Sequence, residues 1–219
     1  VIYTFTNTIV KGMNNGSGVF DGTHDPNFMV QPDHYAAPTT VGNMQLQICS
    51  PALNAGDNTV FNPGQTPDLS AITTDLAGNA RIFNTTIDLG AYEMQSLGTR
   101  LYVKPDGNDS NDGLTWDTAL QTLQKALDYV CNDKQIWVAA GTYYPTEGSG
   151  RSKRFVMKGG VTIYGGFAGT ETTLTERVST LIHTTNATIL SGDVDKDGLL
   201  DNQNVYHVFR NQNIGSNAQ

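Results

Sequence analysis

Residues 87–116 read "IDLGAYEMQSLGTRLYVKPDGNDSNDGLTW". The fold depends on whether this is one passage or two. Its left side, "IDLGAYE" (Ile87 to Glu93), reads as the close of a folded region. Its right side begins with a short strand, "RLYVK" (Arg100 to Lys104), and runs into the turn-rich "PDGNDSNDG". An ending placed against a beginning marks a boundary near the middle of a 219-residue chain. That length suits one average-to-large domain or two small ones.

The two sides differ in pattern. Before the boundary, β-like runs such as "VIYTFTNTIV" (Val1 to Val10) and "MQLQI" (Met44 to Ile48) are separated by long Gly-, Asn- and Pro-containing loops, and no segment sustains a helical period. After it, "TWDTALQTLQKALDYV" places apolar residues at Leu120, Leu123, Ala126 or Leu127, and Val130. That spacing predicts an amphipathic helix, with Thr115 or Asp117 capping its first turn. β-like runs then recur, starting at Ile136, Val161, Ile189 and Val205, at intervals of 25, 28 and 16 residues. These intervals bracket one coil of a parallel solenoid. Asn before a β-branched residue recurs at Asn7, Asn84 and Asn186, which suits solenoid corners. A β-sandwich is the structural alternative.

Composition narrows the function classes. The net charge of −8 argues against a nucleic-acid or anionic-membrane partner, since both need clustered Lys and Arg. There is no apolar run of about 18 residues to span a membrane, and no signal-peptide pattern. The chain opens on a β-rich segment without an initiator Met, which reads as a piece of a longer protein. The 23 glycines, together with abundant Asn and Asp, favour tight turns. The cysteines, Cys49 and Cys131, lie on either side of the boundary; two buried free thiols are the preferred reading, with a bridge as the alternative.

One motif carries a chemical expectation. In "DVDKDGLLD", Asp193, Asp195 and Asp197 occupy alternate positions of a Ca²⁺ loop. Gly198 supplies the turn, Leu199 a backbone carbonyl, and Asp201 a further carboxylate. Asn204 stands where a bidentate Glu would complete the set. Two weaker metal candidates are Asp106, Asp109 and Asp112 in the central turn, and His24, Asp25, Asp33 and His34 in the first half.

From Leu101 to Phe209 the order "LYVKPDGNDSNDGLTWDTALQTLQKAL…IWVAAGTYYP…RFVMKGGVTIYGGFAGTETTLTER…ATILSGDVDKDGLLDN…YHVF" resembles the start of right-handed parallel β-helix proteins. These are secreted or cell-surface proteins of Bacteroidetes-type bacteria. "DPNF" (Asp25 to Phe28), "LQICSPALNAGDN" (Leu46 to Asn58), "TDLAGNARIFN" (Thr74 to Asn84) and "IDLGAYE" resemble the closing coils of such domains. The resemblance implies an all-β, right-handed parallel β-helix, present as a partial solenoid with one capping α-helix. Residues 1–95 would be the closing coils of one domain, and residues 96–219 the cap and first coils of the next.

It further implies a non-catalytic adhesin or spacer module, extracellular or on the cell surface, with a Ca²⁺-stabilised loop. Its partners would be a polysaccharide or a host or matrix surface, and open solenoid ends would allow self-association. The alternative is a fragment of a polysaccharide lyase or a glycan-binding protein. For a lyase, Lys153, Arg154 and Arg177 are the basic candidates. Tyr143, Tyr144, Tyr164 and Phe167 are expected to stack within coils.

Overall fold

The computed structural model describes residues 8–10, 19–21, 25–31, 41–66, 68–96, 98–146, 150–178 and 184–211. The chain divides into two compact units, Val1–Leu97 and Gly98–Gln219.

In the first unit, β1 (Thr8–Val10) pairs in parallel with β2 (Val19–Asp21). An antiparallel pair follows, β3 (Phe28–Val30) with β4 (Asn43–Leu46), in which Phe28 faces Leu46 and Val30 faces Asn43 across an irregular register. Buried Leu46, Ala52 and Leu89 form a small core against which Phe28, Leu53 and Ala55 pack. Beyond β4 the described part of this unit has no further strand; a 3-10 turn at Asn58–Phe61 is its other regular element.

So much irregular backbone leaves many N–H groups without a ladder partner, and buried donors must be satisfied somehow. Carboxylates do this in "IDLGAYE". The Glu93 carboxylate accepts from the N–H of Phe83 and of Asp88, each at 2.9 Å, and pairs with the Arg81 guanidinium at 3.0 Å. Asp88 accepts from Asn54 at 2.6 Å and Met94 at 2.8 Å. Asp75 accepts from Ala77, Asn79 and Glu93. Burial raises the carboxyls of Asp88 and Glu93 above their ordinary values, and their mutual repulsion adds to this at Glu93. At Asp75 burial acts in the same direction, but the three N–H donors outweigh it and the carboxyl sits low.

The second unit is built on a parallel sheet of order β5–β6–β9: β5 (Arg100–Val103), β6 (Gln135–Ala139) and β9 (Thr162–Phe167). Leu101, Ile136 and Ile163 align across it, as do Tyr102, Trp137 and Tyr164. Its central strand β6 is buried from Ile136 to Ala139, as the middle of a parallel sheet requires, while β9 is half-buried from Thr162 to Gly165. Leu101, Val103, Ile136 and Val138 are buried, as are Leu120, Leu123, Ala126 and Leu127 on and beside the helix. The alternate positions build an aromatic layer. Trp137 stacks on Phe167 at 4.5 Å, Tyr102 meets Trp116 edge-on at 4.7 Å, and the Arg100 guanidinium lies 4.2 Å above Trp137.

Helix α1 (Leu123–Tyr129) is shorter than the apolar spacing predicts. Its cap is Thr122, whose hydroxyl accepts from Lys125 N–H at 3.2 Å, and not Thr115 or Asp117. Leu120 supplied the first apolar position of the helical pattern, yet it forms a parallel bridge with Val103, with its N–H on the Tyr102 carbonyl. Asp109 ties the turn to the cap: it accepts from the N–H of Gln121 and Thr122 at 2.9 Å and from the Thr122 hydroxyl at 2.7 Å. Gly107 is needed here because a Cβ would lie 2.4 Å from the Leu120 carbonyl oxygen.

Two further parallel pairs complete the unit. β7 (Gly141–Tyr143) pairs with β10 (Thr188–Leu190), and β8 (Phe155–Met157) with β11 (Phe209–Asn211). After β9, the carboxylate of Glu171 gathers the N–H groups of Ala168, Gly169 and Thr170 at 2.7 to 3.0 Å. Burial alone would raise this carboxyl; the converging donors hold it low.

The architecture therefore corrects the expected right-handed parallel β-helix. The described strands form five separate sheets of two or three strands, and one of these is antiparallel. Runs of three to six residues, cut by turns that bond to side chains, do not stack into a solenoid. Self-association through open solenoid ends loses its structural basis with that fold. The free-thiol reading is also corrected: Cys49 and Cys131 are both disulfide-bonded. Sequence spacing carries no information on the sulfur–sulfur approach that a bridge requires.

Two outcomes are expected. Thr122→Ala removes the helix cap and lowers stability by about 1–2 kcal/mol, read from the midpoint of chemical denaturation. The Glu171 carboxyl is held below its ordinary value of 4.5, so its contribution is complete above that pH and is lost as pH falls from there through the lower folded value. Asp88 and Glu93 act with opposite sign, because in the fold they hold protons more tightly and weaken it as pH rises above the ordinary carboxyl range. Glu171→Gln should therefore melt below the parent at neutral pH by an amount that shrinks on acidification; a difference independent of pH would contradict this assignment.

Candidate cation-binding loop

β10 pairs with β7 and leads directly into the acidic loop, starting with the Ser191 N–H on the Tyr143 carbonyl at 2.9 Å. Val194 is buried and anchors the loop, between a half-buried Asp193 and an exposed Asp195. The turns of this segment bring Asp193, Asp195 and Asp197 together. Oxygen atoms from the three carboxylates lie within 4.8 Å of one another. Two backbone positions of left-handed conformation make this possible, Lys196 at φ +62° and Gly198 at φ +75°.

The hydrogen bonds divide the loop in two. In its first half Asp193 accepts through Oδ2 from Gly198 N–H at 3.0 Å, while its Oδ1 is buried and has no hydrogen-bond partner. Asp195 and Asp197 are exposed, and Asp197 also accepts from Leu199 N–H at 2.7 Å. Partial desolvation raises the Asp195 carboxyl, and neighbouring Asp193, Asp197 and Asp201 push it the same way. Like charges so close repel by about 1 kcal/mol per pair at 4 Å even in bulk water. A divalent cation would reverse that sign.

In the second half, Asn204 fastens the backbone. Its Nδ2 donates to the Leu199 carbonyl at 3.0 Å and its Oδ1 accepts from Asp201 N–H at 3.2 Å. The Asp201 carboxylate accepts from Gln203 N–H at 2.7 Å. Arg151 clamps the far end, with Nε on the Asn204 carbonyl, Nη1 on Asn202 Oδ1 and its guanidinium 4.3 Å from the Tyr206 ring centre. Of the expected ligands, the geometry gathers Asp193, Asp195 and Asp197 into one group. Leu199 and Asp201 lie on the adjoining turn, engaged by Asn204 and Gln203.

The other candidates have different roles. Asp109 holds the helix cap, Asp112 accepts from Leu114 N–H at 2.9 Å, and Asp106 lies 3.6 Å from the Lys104 ammonium. Asp25 accepts from Asn27 N–H, while His24, Asp33 and His34 lie outside the described residues. Among the bases proposed for a lyase, Arg177 donates to the Gly165 carbonyl and lies over Tyr164 and Phe167; Arg154 donates to the Ser152 carbonyl, and Lys153 is exposed. Tyr143 is buried with its hydroxyl on the Ala139 carbonyl, and burial, reinforced by Asp106, keeps that phenol protonated far above its ordinary range.

Sequence reasoning overlooked Lys196. It sits between two of the clustered aspartates, and its ammonium lies 4.7 Å from the centre of the Tyr144 ring. The available signal was its own place in "DVDKDG", where a cation interrupts the acidic alternation. Comparison of the chain with protein-family models, with curated proteins and with solved structures gives no match.

Proposed function

We propose that the chain is a non-catalytic module of adhesin or spacer type, extracellular or on the cell surface, whose Asp193–Asp197 loop binds Ca²⁺. The observation that carries the cation reading is that carboxylate oxygens of Asp193, Asp195 and Asp197 lie within 4.8 Å of one another, and that Asp193 Oδ1 is buried with no hydrogen-bond partner. An all-oxygen set on an exposed loop suits a hard cation that tolerates irregular coordination, and Ca²⁺ fits this better than Mg²⁺ or Zn²⁺. Three carboxylates leave most of the six to eight oxygen positions to carbonyls and water, consistent with modest affinity.

The setting of the other acids supports a scaffold role. Asp75, Asp88, Glu93, Asp109 and Glu171 are each occupied in holding backbone N–H groups. Two disulfide-bonded cysteines favour an oxidising compartment, in line with an extracellular setting.

Thermal melting in excess EDTA, in CaCl₂ and in MgCl₂ tests the cation reading. Ca²⁺ at 100 times its Kd should stabilise the chain by about 2.7 kcal/mol, with a smaller effect from Mg²⁺. The double change Asp195→Asn and Asp197→Asn should abolish the Ca²⁺ response while leaving the EDTA melt at or above the parent, because it also removes repulsion. A melt that ignores Ca²⁺ would overturn the assignment.

A further inference from the structure

The acidic loop carries two leucines whose side chains the fold leaves in water. Leu199 is 62% and Leu200 96% exposed, within a run, residues 195–203, in which every residue is exposed. Around Gly198 the space is open: beyond its chain neighbours, no atom lies within 4 Å of where a Cβ would stand. Polar bonds fix the backbone here, with Leu199 N–H donating to Asp197 Oδ1 at 2.7 Å and the Leu199 carbonyl accepting from Asn204 Nδ2 at 3.0 Å. Neither leucine side chain is needed for that shape. We propose that Leu199 and Leu200 dock the chain on a phosphocholine lipid surface when a divalent cation fills the Asp193–Asp197 loop. The inference rests on the cation reading above.

The form of this tip selects the partner. Leu199 and Leu200 are the only apolar side chains in residues 195–203, with Asp197 before them and Asp201 after. Stable protein–protein interfaces bury roughly 1,200–2,000 Å², and two side chains on an exposed turn supply a small part of that. A bilayer needs no matching cavity, since its acyl boundary closes around whatever apolar side chain enters it. Removal of the two leucines from water drives the entry.

Charge decides when the tip can enter. Residues 193–201 hold four aspartates and one lysine, a formal charge of −3. Carrying that charge into the headgroup layer is costly, and the lipid phosphates repel it. A bound divalent cation reduces it to −1. Phosphate oxygens are hard ligands of the kind Ca²⁺ takes, so the lipid can fill positions that three carboxylates leave open. The choline ammonium groups complement the exposed Asp201. A phosphocholine surface has no net charge, so the chain's own −8 does not oppose the approach.

Co-sedimentation of the full chain with phosphatidylcholine vesicles, in CaCl₂ and in EDTA, tests the proposal beside the melts described above. Binding should be roughly tenfold tighter in CaCl₂ than in EDTA. Leu199→Ala and Leu200→Ala, made together, should weaken vesicle binding by roughly tenfold or more. Both side chains are exposed, so the double variant should keep the parent's melting temperature and its shift with Ca²⁺. A chain whose melt responds to Ca²⁺ but which ignores vesicles overturns the lipid surface and leaves the cation reading standing. Vesicle binding that is equal in EDTA overturns the cation gate, and binding retained by the double variant overturns the leucine tip. Binding confined to vesicles with added phosphatidylglycerol overturns the headgroup assignment. A Ca²⁺-dependent dimer in light scattering, lost in the double variant, makes a second copy the occupant and overturns the lipid one. A melt that ignores Ca²⁺ sinks the cation reading, and the docking with it.

Discussion

The hydrogen bond from a backbone N–H to a carboxylate is the interaction on which both units depend. A chain with strands of three to six residues has few ladder bonds, yet it still buries Leu89, Leu120 and Phe167. Each turn between those anchors carries N–H groups that lose water on folding and need an acceptor of their own. A carboxylate offers two oxygens and about four lone-pair sites, so one side chain can serve two or three donors. Glu93 and Asp75 do this in the first unit, Asp109 and Glu171 in the second. Charge-assisted bonds of this kind are about twice as strong as neutral ones. The acidic composition is thus in part a structural material and not solely a surface property.

What could be read from the sequence was local. Strand residues in "RLYVK", "QIWVA" and "VTIYGGF" show themselves by apolar and β-branched runs, and the helix by its spacing. The grouping of Asp193, Asp195 and Asp197 was legible too, because five consecutive residues contain it. The helix cap was misplaced because Leu120 is buried for a different reason, its bridge to Val103. Apolar spacing cannot distinguish a helix face from a strand that happens to precede it.

What was not legible was the product of distant contacts. Asp88 meets the N–H of Asn54 from 34 positions away, and Asn58 reaches Ile87 from 29. "IDLGAYE" closes its unit because of these bonds, and no periodicity announces them. The expected solenoid failed for a related reason. Its evidence was a series of strand starts at uneven intervals, and strand starts do not say which strands will join into one sheet. The disulfide-bonded state of the cysteines belongs with these, since it depends on how closely sulfurs approach in the folded chain.

Asn204 sets the thermodynamic character of the acidic loop. By fastening Leu199 and Asp201 through its own amide, it holds the second half of the loop in shape through neutral bonds that require no ion. Charge neutralisation there is separated from chain ordering and from burial of apolar surface. Ion uptake by such a loop would carry a heat-capacity change near zero, set apart from the strongly negative values that accompany coupled folding. Its heat would report mainly the exchange of hydration water for carboxylate oxygen.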